Sequence, residues 1–303
     1  MSILVIDKPS GPSSFLVCQR VRGLLGRKGL KIGHGGTLDP FATGVLPVCI
    51  GEGTKVLPFL LDADKTYEAW VRFGVETDTL DRTGRIVAQR TVVGLDENVV
   101  AAALARFRGA ISQVPPMYSA LKRNGRPLYA YARQGEAVER APRPVTIHEL
   151  ELLALEPPDR ARLRIRCSKG TYVRVLAADV GTALGVGAHL QELRRTASGP
   201  FTLAQAITLE DLQARVAEGR ALPLLSLLDA LAHLPRVTVE DSQAQALEHG
   251  QPMAWHALSA GRDLGGPVCA VIEGVAGPSL VAIVVGNEEG GVKILRGFRR
   301  NGW

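Results

Sequence analysis

ARLRIRC, residues 161–167, alternates without a break: Arg162, Arg164 and Arg166 point one way, and Leu163, Ile165 and Cys167 the other. A period of two is the pattern of a strand with one buried face, so the stretch predicts a strand whose outer face is cationic. Upstream, YEAWVRFGV at 67–75 reads as another strand. Residues 96–107 read as a helix, with an Asp cap before Val99, Val100, Ala103, Leu104 and Phe107, and Gly109 just beyond. The spacing predicts further helices over 173–184 and 209–217, the second opened by the pair Thr208 and Asp211. At the amino end, Val17, Cys18, Val21, Leu24 and Leu25 recur at helical spacing after Ser13 and Ser14 and before Gly26. Strands mixed with helices but lacking regular βαβ alternation point to an α+β fold.

A chain of 303 residues suggests two domains. Residues 223–235 read as a short apolar helix and linker. Beyond them the composition changes: residues 236–303 hold six basic and seven acidic side chains and short strands ended by glycine. The expectation is a large domain over 1–235 and a small, mostly β domain over 236–303. An apolar content of 46% with mean hydropathy +0.09 excludes disorder and fibrous repeats. The longest apolar runs, such as LVAIVV at 280–285, fall short of the ~20 residues that cross a bilayer, and SILVI is cut off by Asp7 and Lys8 before it can serve as a signal sequence. A cytoplasmic protein with no membrane association is expected. Cys18, Cys49, Cys167 and Cys269 have no CxxC spacing and no nearby histidine partner, so the expectation is four buried thiols and neither disulfide nor metal site.

The formal net charge is +6, but its location says more than its size. Residues 106–174 carry 14 Lys or Arg against 6 Asp or Glu, which leaves the rest of the chain at −2. Four of the five tyrosines, Tyr118, Tyr129, Tyr131 and Tyr172, lie in the same segment. Interleaved aromatics and cations suit a nucleic-acid surface, through stacking and phosphate neutralisation. The competing reading is a solvated charged face.

The densest motif is GHGGTLDPFATGVLPV at 33–48, where Gly35 and Gly36 permit a tight turn and Asp39 precedes Pro40. A carboxylate on such a loop can point into a cleft, although Asp-Pro is also a common turn pair. His34-Gly35-Gly36 is similar to the oxyanion loop of esterases, yet no GxSxG supplies a nucleophile. The glycines do not match GxxxxGK[ST] either, so a phosphate-binding loop is unsupported.

Several blocks, taken in order, resemble the bacterial stand-alone tRNA pseudouridine-55 synthases, the TruB family. They are DKPSGPSS at 7–14, GHGGTLDPFATGVLPV at 33–48, DADKTYEAWVRFGVETDTLDRTGR at 62–85, PPMYSALKRNGRPLYAYARQGE at 115–136, CSKGTYVRVLAADVG at 167–181 and LRRTASGPF at 193–201. Together they extend over about two-thirds of the chain. Gly35 stands where the family often has threonine.

The resemblance implies a catalytic domain built on a mixed, mainly antiparallel sheet with flanking helices. It further implies an RNA-gripping thumb inserted at 115–145 and a PUA-like RNA-binding domain at the carboxyl end. The implied activity is isomerisation of a uridine in the tRNA T-loop, with no cofactor, no metal and no obligate protein partner, by a monomer. By the same resemblance Asp39 is the carboxylate that acts at the ribose and Arg174 the cation paired with it, a neighbour that lowers a carboxylate pKa. Tyr67 stacks on the flipped uracil and is placed to take the C5 proton, while Leu193 packs on the base from the other side. His34 occupies the space the base vacates. Lys8 either contacts phosphate or ribose or braces the active-site loop. Tyr118, Tyr129 and Tyr131 either grip the RNA or pack the thumb's own small core, and the strand arginines Arg162, Arg164 and Arg166 are expected at phosphates. Two rivals stand beside this reading: an RNA-guided synthase subunit, and a non-catalytic tRNA-binding or folding module.

Overall fold

The computed structural model describes residues 2–298 apart from 27–28, 120, 124, 133, 137, 260–263 and 276. Four positions of the 115–145 segment therefore lie outside the described residues. The chain opens with β1 (Ser2–Lys8), α1 (Ser14–Leu24), β2 (Ile32–His34), β3 (Thr43–Ile50), α2 (Leu57–Leu61), β4 (Lys65–Phe73), β5 (Val75–Thr77), β6 (Ile86–Gln89) and α3 (Glu97–Ala105). It continues through β7 (Gly109–Gln113), β8 (Lys122–Arg123), β9 (Arg126–Pro127), α4 (Leu128–Ala132), β10 (Arg143–Glu156), β11 (Arg160–Cys167), α5 (Val173–Ala183), β12 (Ala188–Ser198), β13 (Phe201–Thr202) and α6 (Leu209–Ala217). The last part holds α7 (Leu227–Ala230), β14 (Arg236–Thr238), α8 (Asp241–Glu248), α9 (Trp255–Ser259), β15 (Val268–Ile272), β16 (Ser279–Gly286) and β17 (Val292–Gly297).

The main sheet runs β1-β3-β12-β4-β11-β10-β7, with β2 and β13 attached to β3 and β12. All its pairs are antiparallel except β3 with β12, so the mixed, mainly antiparallel α+β expectation holds. On β4 and β11 the alternation does what the sequence demands. Tyr67, Ala69, Val71 and Phe73 face one side with Leu163, Ile165 and Cys167, and there they pack against Val100 and Leu104 of α3 and Leu176 and Val180 of α5. The caps come from the residues that spacing singled out: Ser13 accepts from Leu16 N, Asp96 from Val99 N and Thr208 from Asp211 N.

At the other end of the sheet β1 and β3 are covered on both faces. Leu4, Ile6, Leu46 and Val48 meet α1 and α6, while Ile3, Val5, Val45 and Cys49 meet α7 and the second sheet. That second sheet, β14-β15-β16-β17, puts Cys269, Val271 and Ile283 against β1 and β3 and turns Val268, Ala270 and Val281 toward α8. Residues 188–198, which follow the α5 helix, form a long central strand, so Leu193 sits in the middle of the sheet.

Candidate active site

The loop between β2 and β3 carries Asp39 and is tied down from three sides. Lys8, 0% exposed, donates from Nζ to the carbonyls of Pro9, Pro40 and Ala42 at 2.9, 3.0 and 2.7 Å. The Ser14 hydroxyl accepts from Leu38 N and donates to Leu38 O, and Gly11 N donates to Pro40 O. Arg195 of β12, buried, donates to the carbonyls of Gly36, Thr37 and Val45. Buried cations thus stand in for the water those carbonyls would otherwise need. Arg195 comes this close because β3 lies against β12 at Gly44, whose φ is +101° and where a Cβ would sit 2.2 Å from the Arg195 carbonyl oxygen.

The structure brings Asp39 and Arg174 together. Arg174, in the first turn of α5 and 5% exposed, places Nη2 at 3.4 Å from Asp39 Oδ1 and Nη1 at 3.4 Å from Asp81 Oδ2. Its shortest bond, 2.6 Å, goes to the Tyr118 carbonyl. Asp81 is fixed in its turn by Thr79 Oγ1 at 2.9 Å, Thr83 N at 2.9 Å and Thr83 Oγ1 at 2.6 Å. Burial holds the Asp39 carboxyl above its ordinary pKa, opposed by Arg174 and Lys8 and reinforced by the Asp81 charge. Arg174 pulls the pKa down as a neighbouring cation should, but its charge is shared and desolvation outweighs it.

Tyr67 and Leu193 also converge. Both are 8% exposed and belong to one cluster with Leu38, Phe41 and Ala42 from the Asp39 loop. Tyr67 lies opposite Arg195 in the sheet register and Leu193 opposite Ala69 of the same strand. Burial raises the Tyr67 phenol pKa, with the Arg195 guanidinium beside it pulling the other way.

The remaining predicted residues divide. Lys8, wholly buried on three carbonyls, is the brace of the loop; an ammonium for a phosphate would have to reach the surface. Burial lowers its pKa to about 8. His34 ends β2, half-buried, with Nδ1 buried and unpartnered among the described residues and its pKa lowered by burial. Tyr118 contributes its carbonyl to Arg174, and Tyr129 lies exposed on α4. Beside it the Tyr131 ring is covered by Arg126 at 4.5 Å. On the cationic strand each predicted arginine faces a carboxylate. Arg162 pairs with Glu68, Arg164 with Glu151, and Arg166 with Glu149 and Asp64, at 2.5–3.3 Å. Arg160 with Glu156 and Arg72 with Asp159 extend the lattice. Carboxylates thus partner this face, and a phosphate there would compete with them.

Three residues escaped the reading by sequence. Asp81 is marked locally only by the threonines around it in TDTLDRT. Arg195 and Lys65 are buried cations whose partners are distant carbonyls or a preceding helix end; Lys65 donates to Leu61 O and Ala63 O, and burial lowers its pKa to about 8. Among the described residues no group of His, Cys, Asp and Glu is placed to hold a metal ion, and no helix is long and apolar enough to cross a membrane.

The chain matches the family model of the TruB family pseudouridylate synthase N-terminal domain over residues 22–173 and that of the tRNA pseudouridylate synthase B C-terminal domain over 174–232. Proteins named tRNA pseudouridine synthase B from Aromatoleum aromaticum and Pseudomonas aeruginosa are each 54% identical. The alignments cover 83% of this chain in both cases, and 80% and 83% of the relatives. Among solved structures, one in a Cbf5-Nop10-Gar1 complex superposes with TM-score 0.73 at 32% identity, over 93% of this chain and 77% of that one.

Proposed function

The chain belongs to the TruB family of pseudouridylate synthases, and from that premise we propose that it isomerises uridine to pseudouridine in tRNA, at position 55 of the T-loop. The observation that carries the reading is the pairing of Asp39 with a buried Arg174 above the Tyr67–Leu193 cluster, in a chain 54% identical to proteins named for that activity. The reaction breaks N1–C1′, turns the uracil, joins C5 to C1′, releases the C5 proton and leaves a proton on N1, so no atom is gained or lost. It needs a carboxylate at the ribose, a flat surface for the displaced base and a base for the late proton. Asp39 fills the first role, with Arg174 orienting it. Tyr67 and Leu193 hold the uracil, and His34 takes the place it leaves.

A uridine stacked in a folded loop hides C1′ and C5, so the enzyme extrudes it. The cluster of Leu38, Phe41, Tyr67 and Leu193 must part to receive it. Residues 1–235 act as the catalytic unit, with 115–145 gripping the RNA and 236–303 as a smaller RNA-binding unit. The protein works in the cytoplasm as a monomer, without a guide RNA. The test is pseudouridine formed on unmodified tRNA by the purified chain alone, wild type beside Asp39→Asn. Product only with a guide and partner proteins would favour an RNA-guided subunit, and no product under any condition a binding module.

A further inference from the structure

The strand on which the arginines are densest carries little free positive charge. On the outer face of β4, β10 and β11 the strand arginines are matched by carboxylates. Residues 8–38, by contrast, contain Lys8, Arg20, Arg22, Arg27, Lys28 and Lys31 and no Asp or Glu, six cations in a chain of net charge +6. Lys8 is buried beneath the Asp39 loop, and Arg27 and Lys28 lie outside the described residues. Arg20 on α1 and Lys31 just before β2 are exposed, and Arg22 is half-buried in the last turn of α1. None of these three forms an ion pair or a side-chain hydrogen bond with a described residue. The nearest helix, α6, packs on α1 through Leu209 and Leu212. Its first-turn acids Glu210 and Asp211 make no ion pair with α1.

Two elements link this surface to the Asp39 loop. The bonds of Ser14 to Leu38 fix the start of α1 to the Asp39 loop, and β2 runs into that loop at His34. Val17, Val21, Leu24, Leu30 and Ile32 lock α1 and β2 together. Arg20 lies six residues beyond Ser14, about 9 Å along a helix. Lys31 lies three residues before His34, about 10 Å along a strand. An exposed cation with no partner exchanges only small ions and water for a phosphate, whereas a paired arginine must first give up its carboxylate.

We propose that Arg20 and Lys31 form a phosphate-contacting track for the RNA strand flanking the target uridine. The assignment rests on the reading of the chain as a tRNA-modifying enzyme. Its test measures binding of unmodified tRNA over a series of salt concentrations for wild type, Arg20→Gln/Lys31→Gln and Arg162→Gln/Arg164→Gln, with thermal unfolding of each. The slope of log affinity against log salt is expected to fall by about two in the first pair, one for each charge, and to stay at the wild-type value in the second. If the first pair melts early, Arg20→Gln and Lys31→Gln are read singly, each with a fall of about one. An unchanged slope for Arg20 and Lys31, or an equal fall for Arg162 and Arg164, overturns the track. Failure of the functional reading shows separately, as a wild type that forms no pseudouridine on the same tRNA.

Discussion

Arg174 stands 3.4 Å from Asp39 and 3.4 Å from Asp81, one buried guanidinium shared between two carboxylates. Asp81 is saturated by three further donors, whereas no hydrogen bond to the Asp39 carboxylate other than that of Arg174 is present among the described residues. A cation divided in this way orients Asp39 without quenching it. Of the two acids, Asp39 is the one left with capacity to act.

Replacing Asp39 with Asn keeps the shape and removes the charge. Pseudouridine formation is expected to vanish, while tRNA affinity changes by less than about tenfold, roughly 1.4 kcal/mol. Persistent turnover would remove Asp39 from the mechanism.

Asp81 tunes Asp39 through charge. On the proposed reading Asp39 acts as the carboxylate, so the rate is expected to rise as pH rises through its pKa, which burial and the Asp81 charge hold above the usual carboxylate value. Asp81→Asn deletes a like charge and releases Arg174 wholly to Asp39, and both effects lower that pKa. The acid limb of single-turnover rate against pH is expected to move to lower pH. A limb that stays in place or moves up refutes the coupling.

What was legible in the sequence was local. The alternation of 161–167 and the capped helices at 96–107 and 209–217 are fixed by neighbours within a few residues, and they stand in the structure where the pattern puts them. Asp39 and Arg174 were legible only through motif resemblance, since 135 residues separate them. The charge state of the cationic strand was not legible, because Glu68, Glu149 and Glu151 reach it from other strands. Arg195 reads as one more basic residue until pairing with β3 and β4 carries it under the loop.

Gly44 is the position where that pairing is most exposed to change. Gly44→Ala combines a φ of +101° with a Cβ 2.2 Å from a backbone oxygen, a collision no side-chain rotation relieves. A loss of at least about 2 kcal/mol is expected in denaturant unfolding. Wild-type stability in this variant would show that β3 and β12 are not held as described.

Lys8→Met keeps the stem and removes a donor from three carbonyls, of which Pro40 O keeps Gly11 N, a loss of about 1–3 kcal/mol. The loss depends on pH. Lys8 titrates at about 8 in the folded chain against 10.5 for the free side chain, so between those values the unfolded chain holds the extra proton. Wild-type stability relative to the variant therefore rises with pH through that window and is lowest below it. Denaturant unfolding of both proteins at pH 7.5 and pH 9.5 reads the difference, and a gap that is flat or shrinking contradicts the burial of a charged Lys8.

A change at Tyr67 would separate the two roles proposed for it, holding the base and removing its proton. The ring lies in the apolar cluster with Leu193, and Tyr67→Phe keeps that ring, so tRNA affinity is expected within about tenfold of wild type. The hydroxyl is a different matter. Burial raises its pKa, so the phenol is neutral through the physiological range. It takes the C5 proton only if its own hydroxyl proton leaves, ending on the uracil N1 that the reaction protonates, and something favours the anion in between. Arg195, opposite in the register and fixed by three carbonyls, is the group in place to do so. With tRNA carrying tritium at uridine C5, Tyr67→Phe is expected to slow label release by about 10²-fold or more, the scale of a lost general base. Release at the wild-type rate would restrict Tyr67 to stacking and assign the C5 proton to water or another group.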